Sequence, residues 1–187
     1  MEPTPKTYVV IDIEATCGGP VRQDTSEIIE IGAVLADDDF KVVDEYCTFV
    51  KPVIFPELTR FCTDLTSITQ ADVDDAPLFE PAMQDFRTWL SDKNSVCFVS
   101  WGDYDRKQIR RECNRNGFDY FLPGHHINLK RAFGKTIRAS GRNPGLAKAV
   151  EIANIPWVGI HHRGIDDARN ITNLLPFVLN PGTLRVL

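Results

Sequence analysis

The chain has 187 residues, 43% of them hydrophobic and 25% charged, with a formal net charge of −5. That length suits a single domain with a substantial core, and the composition excludes a disordered polypeptide. No apolar run approaches the ~18 residues needed to cross a bilayer and no basic-led apolar segment opens the chain, so a soluble, cytoplasmic protein with no membrane partner is expected.

Met1 to Pro5 read as a short flexible tail ahead of a core spanning about 6–178. The first apolar run, Thr7 to Ile13, is β-branched and aromatic and predicts a buried central strand. Strands are also predicted over 28–36, 42–50 and 96–101. The second and third are expected to pair as a hairpin through the polar turn Asp37-Asp38-Asp39-Phe40. Thr69 is placed to cap a short helix, and the apolar spacing of Phe79, Met83, Phe86, Trp89 and Leu90 after Pro77 predicts an amphipathic helix ending near Ser91. A further helix is expected from Asp103 to Asn116, stopped by Gly117. Pro144 suits the first position of another, and a last one is expected over about Gly164 to Leu179. Early paired strands followed by strand–helix alternation indicate an α/β domain with a mixed central sheet flanked by helices.

The five cysteines (Cys17, Cys47, Cys62, Cys97 and Cys113) are odd in number and lack a Cys-x-x-Cys spacing. They predict reduced, mostly buried thiols in a reducing compartment, with no disulfide framework or zinc ribbon. Charge is unevenly distributed. Between Asp103 and Lys148 eleven basic residues face four acids, a local balance of +7, which leaves −12 for the rest of the chain. Such a segment fits a polyanion groove or, as readily, a solvated basic helix face.

Chemistry is proposed first by Asp12-Ile13-Glu14. Carboxylates at i and i+2 of a strand share one side of the sheet, where two like charges are costly without a cation. Mg²⁺ and Mn²⁺ prefer such oxygen ligands, although a solvated strand end would show the same spacing. More ligands must converge for a metal site. Asp103 suits a helix cap, whereas Asp105, one turn into the helix, has the sharper claim to the metal. Near the C-terminus, His161-His162-Arg163-Gly164-Ile165-Asp166-Asp167 packs two imidazoles against two acids. On one helix, residues five apart diverge by roughly 140°, so His162 can meet Asp167 only from a loop, which Gly164 would permit. Four carboxylates and a histidine (Asp12, Glu14, Asp105, Asp167 and His162) suit two-metal phosphodiester hydrolysis, with imidazole taking the proton from water.

Four segments carry a family likeness: Val10-Ile11-Asp12-Ile13-Glu14-Ala15-Thr16-Cys17, Glu27-Ile28-Ile29-Glu30-Ile31-Gly32-Ala33-Val34, Ser100-Trp101-Gly102-Asp103-Tyr104-Asp105 and His161-His162-Arg163-Gly164-Ile165-Asp166-Asp167-Ala168-Arg169-Asn170. Together they resemble the DEDD-type 3′–5′ exonucleases, in the histidine-containing branch with an RNase H-like fold. The wording of the first and last segments is similar to the enhancer-of-RNAi subgroup, which trims 3′ ends of RNA. The likeness runs from about Lys6 to Phe177.

The resemblance implies Asp12, Glu14, Asp105 and Asp167 as metal-site carboxylates for two Mg²⁺ or Mn²⁺ ions and His162 as general base. Glu14, the backbone of Ala15 and Thr16, and His162 would hold the terminal nucleotide. Asp166 and His161 become supporting residues, and Glu30 a structural residue of the second strand. The expected substrate is a single-stranded nucleic acid 3′ end, RNA favoured over DNA, released as nucleoside 5′-monophosphates. Subgroup members can carry an appended nucleic-acid-binding domain; here affinity is expected to come from this domain alone. The Val158-Gly159-Ile160 approach to the histidines also departs slightly from the pattern. Two other readings compete. An aspartyl-phosphate phosphatase is suggested by Asp12-Ile13-Glu14-Ala15-Thr16 but has no use for His162, and a catalytically silent RNA-binding module would keep the fold alone.

Overall fold

The computed structural model describes residues 7–91, 96–138, 141 and 143–180; the expected N-terminal tail and Arg142 of the cationic segment lie outside the described residues. One sheet contains β1 (Thr7–Ala15), β2 (Ile28–Ala36), β3 (Val42–Phe49), β4 (Val96–Ser100) and β5 (His126–Asn128), in the order β3-β2-β1-β4-β5. β1, β2 and β3 pair antiparallel, whereas β4 runs parallel to both β1 and β5, so the sheet is mixed as expected. The β2–β3 turn closes as its polar sequence predicts: the Asp37 carboxylate accepts the N–H groups of Asp39 and Lys41.

The helices are α1 (Arg60–Thr66), α2 (Gln70–Asp74), α3 (Phe79–Ser91), α4 (Tyr104–Asn116), α5 (Leu129–Thr136), α6 (Leu146–Ile152), α7 (Gly164–Asn173) and α8 (Leu175–Leu179). The two-residue period of β1 divides the core. Val9, Ile11 and Ile13 pack with Phe79, Met83 and Phe86 of α3 and Ile109 of α4. Tyr8 and Val10 face the other layer, with Leu129 and Phe133 of α5, Val150 of α6, Ala168 and Ile171 of α7 and Leu175 of α8. β2 is buried along its whole length, so it has no polar alternation. Each fully buried large side chain contributes about 1.5–3 kcal/mol by leaving water, which fixes the layer spacing on which the site depends.

Several local expectations are corrected. β5, α1 and α5 were not anticipated; β5 is only three residues long and joins the sheet through β4. The long C-terminal helix is two helices, α7 and α8, joined at Leu174. Pro176 has no N–H to continue the ladder, and the Leu174 N–H instead bonds back to Ile171. α6 begins at Leu146 with Gly145 as its cap, so Pro144 lies outside the helix. Thr69 does cap α2, where the Asp72 carboxylate accepts from its N–H and hydroxyl. No helix among the described residues is long and apolar enough to cross a membrane.

Candidate active site

Three separate elements meet at the C-terminal end of β1. Asp12 and Glu14 continue the face begun by Tyr8 and Val10, which turns toward α7. The parallel β1–β4 ladder ends at the pair Val10 and Val99, so β1 overhangs its neighbour. The Ile13 N–H lies beyond that ladder, and the Asp105 carboxylate accepts it at 3.2 Å. Asp105 sits in the first turn of α4 and is 4% exposed. β4 therefore ends where its successor helix can send a carboxylate under β1.

α7 arrives through two glycines in contact. Gly32 of β2 pairs with Asp12, and a Cβ on it would lie 2.1 Å from Gly164 backbone. A Cβ on Gly164 would lie 2.9 Å from the Asp12 carbonyl oxygen. Only glycine at both places lets the start of α7 rest on the strands. Gly164 opens α7 and leaves His162 on the entering loop, as expected, and its close approach to the strands is a further role; the left-handed conformation falls on His162 itself, at φ 59°. That turn sets the His162 N–H beside the Asp167 carboxylate, where it opposes the rise in that acid's pKa. Potential ligand atoms of Glu14, His162 and Asp167 all lie within 4.8 Å of one another, with His162 exposed. Asp105 and Asp167 are both close enough to Asp12 to act on its ionisation.

The neighbouring acids and histidines do other work. Asp166 accepts the Ile160 N–H at 2.9 Å and pairs with Arg169, whose other side reaches Glu45. A Cβ on Gly159 would collide with the Asp166 carboxylate, so this acid pins the loop leading to His162. His161 stacks on Trp157 with ring centroids 3.8 Å apart. Asp103 occupies the cap position of α4 without capping it; its carboxylate binds Asn128 and Arg106. Thr16 donates its N–H to the Glu27 carbonyl and its hydroxyl accepts the Glu27 N–H, which fixes the end of the strand. Much of the α4 basic face is likewise partnered internally, with Arg110 over Tyr120, Arg111 on Gln108 and Arg115 on Glu112.

Electrostatics mark the cluster as incomplete. Burial pushes Asp12 well above the carboxylate range, and Asp105, Asp167, Glu14 and Glu30 push it further. Glu14 rises to about 9, mostly through burial and then Asp167. Burial also lifts Asp167 to about 7 against the His162 N–H, and Asp105 to about 6 against the donors that hold it. The buried Asp167 Oδ1 has no hydrogen-bond partner among the described residues. Buried acids are normally paired or metal-bound. An unpartnered oxygen amid four mutually repelling carboxylates fits hard divalent cations, whose preferred donors are these oxygens.

The family model described as Exonuclease matches residues 9–175. Mouse ERI1 exoribonuclease 3 is 32% identical over 179 residues, covering 90% of this chain and 52% of that protein. The probable 3′-5′ exonuclease KapD of Bacillus subtilis is 30% identical over 178 residues, covering 94% and 85% respectively. The chain therefore spans about half the length of the ERI1 exoribonuclease 3 relative it matches. The solved nuclease domain of 3′hExo, described as a DEDDh family member bound to rAMP, superposes with a TM-score of 0.85 at 26% identity, covering 94% of this chain and 92% of that one. The mixed sheet and its helices are thus those of an RNase H-like exonuclease fold. This chain belongs to the exonuclease family, within the histidine-containing branch of its DEDD type.

Proposed function

We propose that this protein is a divalent-metal-dependent 3′–5′ exonuclease that removes nucleoside 5′-monophosphates from single-stranded 3′ ends, with RNA preferred to DNA. The observation that carries the reading is the convergence of Asp12, Glu14, Asp105 and Asp167 from three elements beside a solvent-exposed His162. The exoribonuclease relatives and the rAMP-bound neighbour support RNA as substrate.

Asp12, Glu14, Asp105 and Asp167 would hold two Mg²⁺ or Mn²⁺ ions. Bound in such a set, the ions stabilise the attacking and leaving oxygens of an in-line displacement. His162 is exposed, and an imidazole in that place suits removal of the proton from the attacking water. Glu14 and the backbone of Ala15 and Thr16 form the strand end against which the terminal nucleotide would lie, and the bonds between Thr16 and Glu27 hold that end in place. The left-handed turn at His162 keeps the base beside the acids it must serve, with Glu14 and Asp167 ligand atoms within 4.8 Å of its ring.

The test uses matched RNA and DNA oligomers labelled at either end, with Mg²⁺ or with EDTA. The 5′-labelled RNA is expected to shorten stepwise only with metal, and the 3′-labelled RNA to release mononucleotide first. Internal cleavage, or digestion that persists in EDTA, would reject the reading. Free phosphate from a monoester would favour the phosphatase, and binding without turnover the silent module.

A further inference from the structure

We propose that Glu30 and Arg163 form a clamp that positions His162 for the hydrolysis proposed above, an inference that rests on that reading. Glu30 is fully buried on β2, directly opposite Glu14 in the β1–β2 register. A fifth carboxylate there worsens the repulsion, since it raises Asp12, Glu14 and Asp167 alike. Sheet stability gives no reason for it, because an apolar residue at a buried position is often at least as stabilising as an ion pair.

What Glu30 does is hold the two residues after the histidine. Arg163 meets it with a two-point fork, Nε to Oε2 and Nη2 to Oε1, both 3.1 Å. The Gly164 N–H donates to Oε2 at 2.9 Å, and the Cys47 thiol to Oε1 at 3.4 Å. The Arg163 guanidinium also lies 5.2 Å from the centre of the Phe49 ring, so its plane is fixed by packing as well as by charge. On the other side of the histidine, Asp167 lies beside it, with potential ligand atoms of the two within 4.8 Å of each other. The His162 backbone, in a conformation few side-chain-bearing residues adopt, is thereby anchored through the two residues that follow it. Strain of this kind persists only where surrounding contacts over-determine it. Arg163 and Glu30 supply that restraint, and neither needs to touch the substrate.

The test is a double-mutant cycle on the full chain, measuring removal of 3′ nucleotides from a 5′-labelled RNA oligomer in Mg²⁺. Arg163→Lys keeps the positive charge but loses the fork. It is expected to lower kcat by about 10–100-fold, the usual cost of disturbing a group that orients a catalytic residue, with KM unchanged. In a His162→Ala background the same substitution is expected to leave kcat unchanged, because the group it orients is already gone. An equal fold-loss in both backgrounds, or a lowered melting temperature with kcat intact, would overturn the clamp. Should Arg163→Lys fail to fold, Glu30→Gln retains an acceptor for Gly164 and carries the same cycle. A wild-type protein inert on RNA would instead reject the parent reading, and the clamp with it.

Discussion

Two kinds of buried acid sit at one end of this sheet, and the protein treats them oppositely. Glu27 is 5% exposed, and its two oxygens accept the N–H groups of Val53, Ile54 and Phe55 at 2.8–2.9 Å. Glu30 has its guanidinium fork and the Gly164 N–H. A few residues away, Asp12 and Glu14 receive no hydrogen bond or ion pair in the described structure, and Asp167 keeps a buried oxygen without a partner. The fold is clearly able to neutralise a buried carboxylate with its own donors. Where it withholds them, the missing positive charge must come from outside, and the difference between the two sets locates the chemistry.

The comparison can be broken most severely at Asp12. Asp12→Asn or Glu14→Gln is expected to abolish RNA digestion while circular dichroism shows an unchanged fold; near-normal rates would remove these acids from the site. Next comes His162→Ala, expected to lower turnover by about 10²–10⁴ without loss of folding; an unchanged rate would reassign the base. Gly32→Ala forces a methyl group against Gly164, so α7 must lift from β1. A destabilisation of about 1–3 kcal/mol is expected from such overpacking, along with a fall in kcat, measured by denaturant unfolding and single-turnover assay.

Stability without metal sharpens the contrast. Glu27→Ala strands three backbone donors and is expected to cost roughly 2–4 kcal/mol, whereas Glu14→Gln removes repulsion and is expected to stabilise the metal-free protein by about 1 kcal/mol. Urea titrations in EDTA read both signs directly, and equal signs would erase the distinction. Glu112 gives the smallest effect. Although Ile28 N–H, Arg115 and Gln108 attend it, burial raises it from 4.5 to about 7. The folded protein therefore holds this proton more tightly than the unfolded chain. Its contribution is complete below pH 4.5 and is lost as the pH rises through about 7. The stability of wild type relative to Glu112→Gln should fall across that window, as urea midpoints at several pH values would show.

How much of this could be read from the chain depends on the range of the signal. Asp12 and Glu14 were legible because strand periodicity alone puts them on one face. The α3 boundaries followed from apolar spacing, and the β2–β3 turn from its aspartates. β5 was not legible, since His126-Ile127-Asn128 carries no period of its own and is a strand only through its pairing with β4. Gly164 was legible as the start of α7, but its close approach was not, because only its contact with Gly32 reveals it. An isolated glycine in the wholly buried β2 was the available hint. Glu30 was read as structural from its strand alone; its fork to Arg163 spans 133 positions and has no local signature.

The central claim, that Asp12, Glu14, Asp105 and Asp167 converge to hold divalent ions, is tested most directly by thermal unfolding of the metal-free protein titrated with Mn²⁺. Wild type should gain stability with concentration, by about 2.7 kcal/mol at a hundredfold excess over the dissociation constant, and Asp12→Asn should gain little. No gain in wild type, or an equal gain in both proteins, would contradict it.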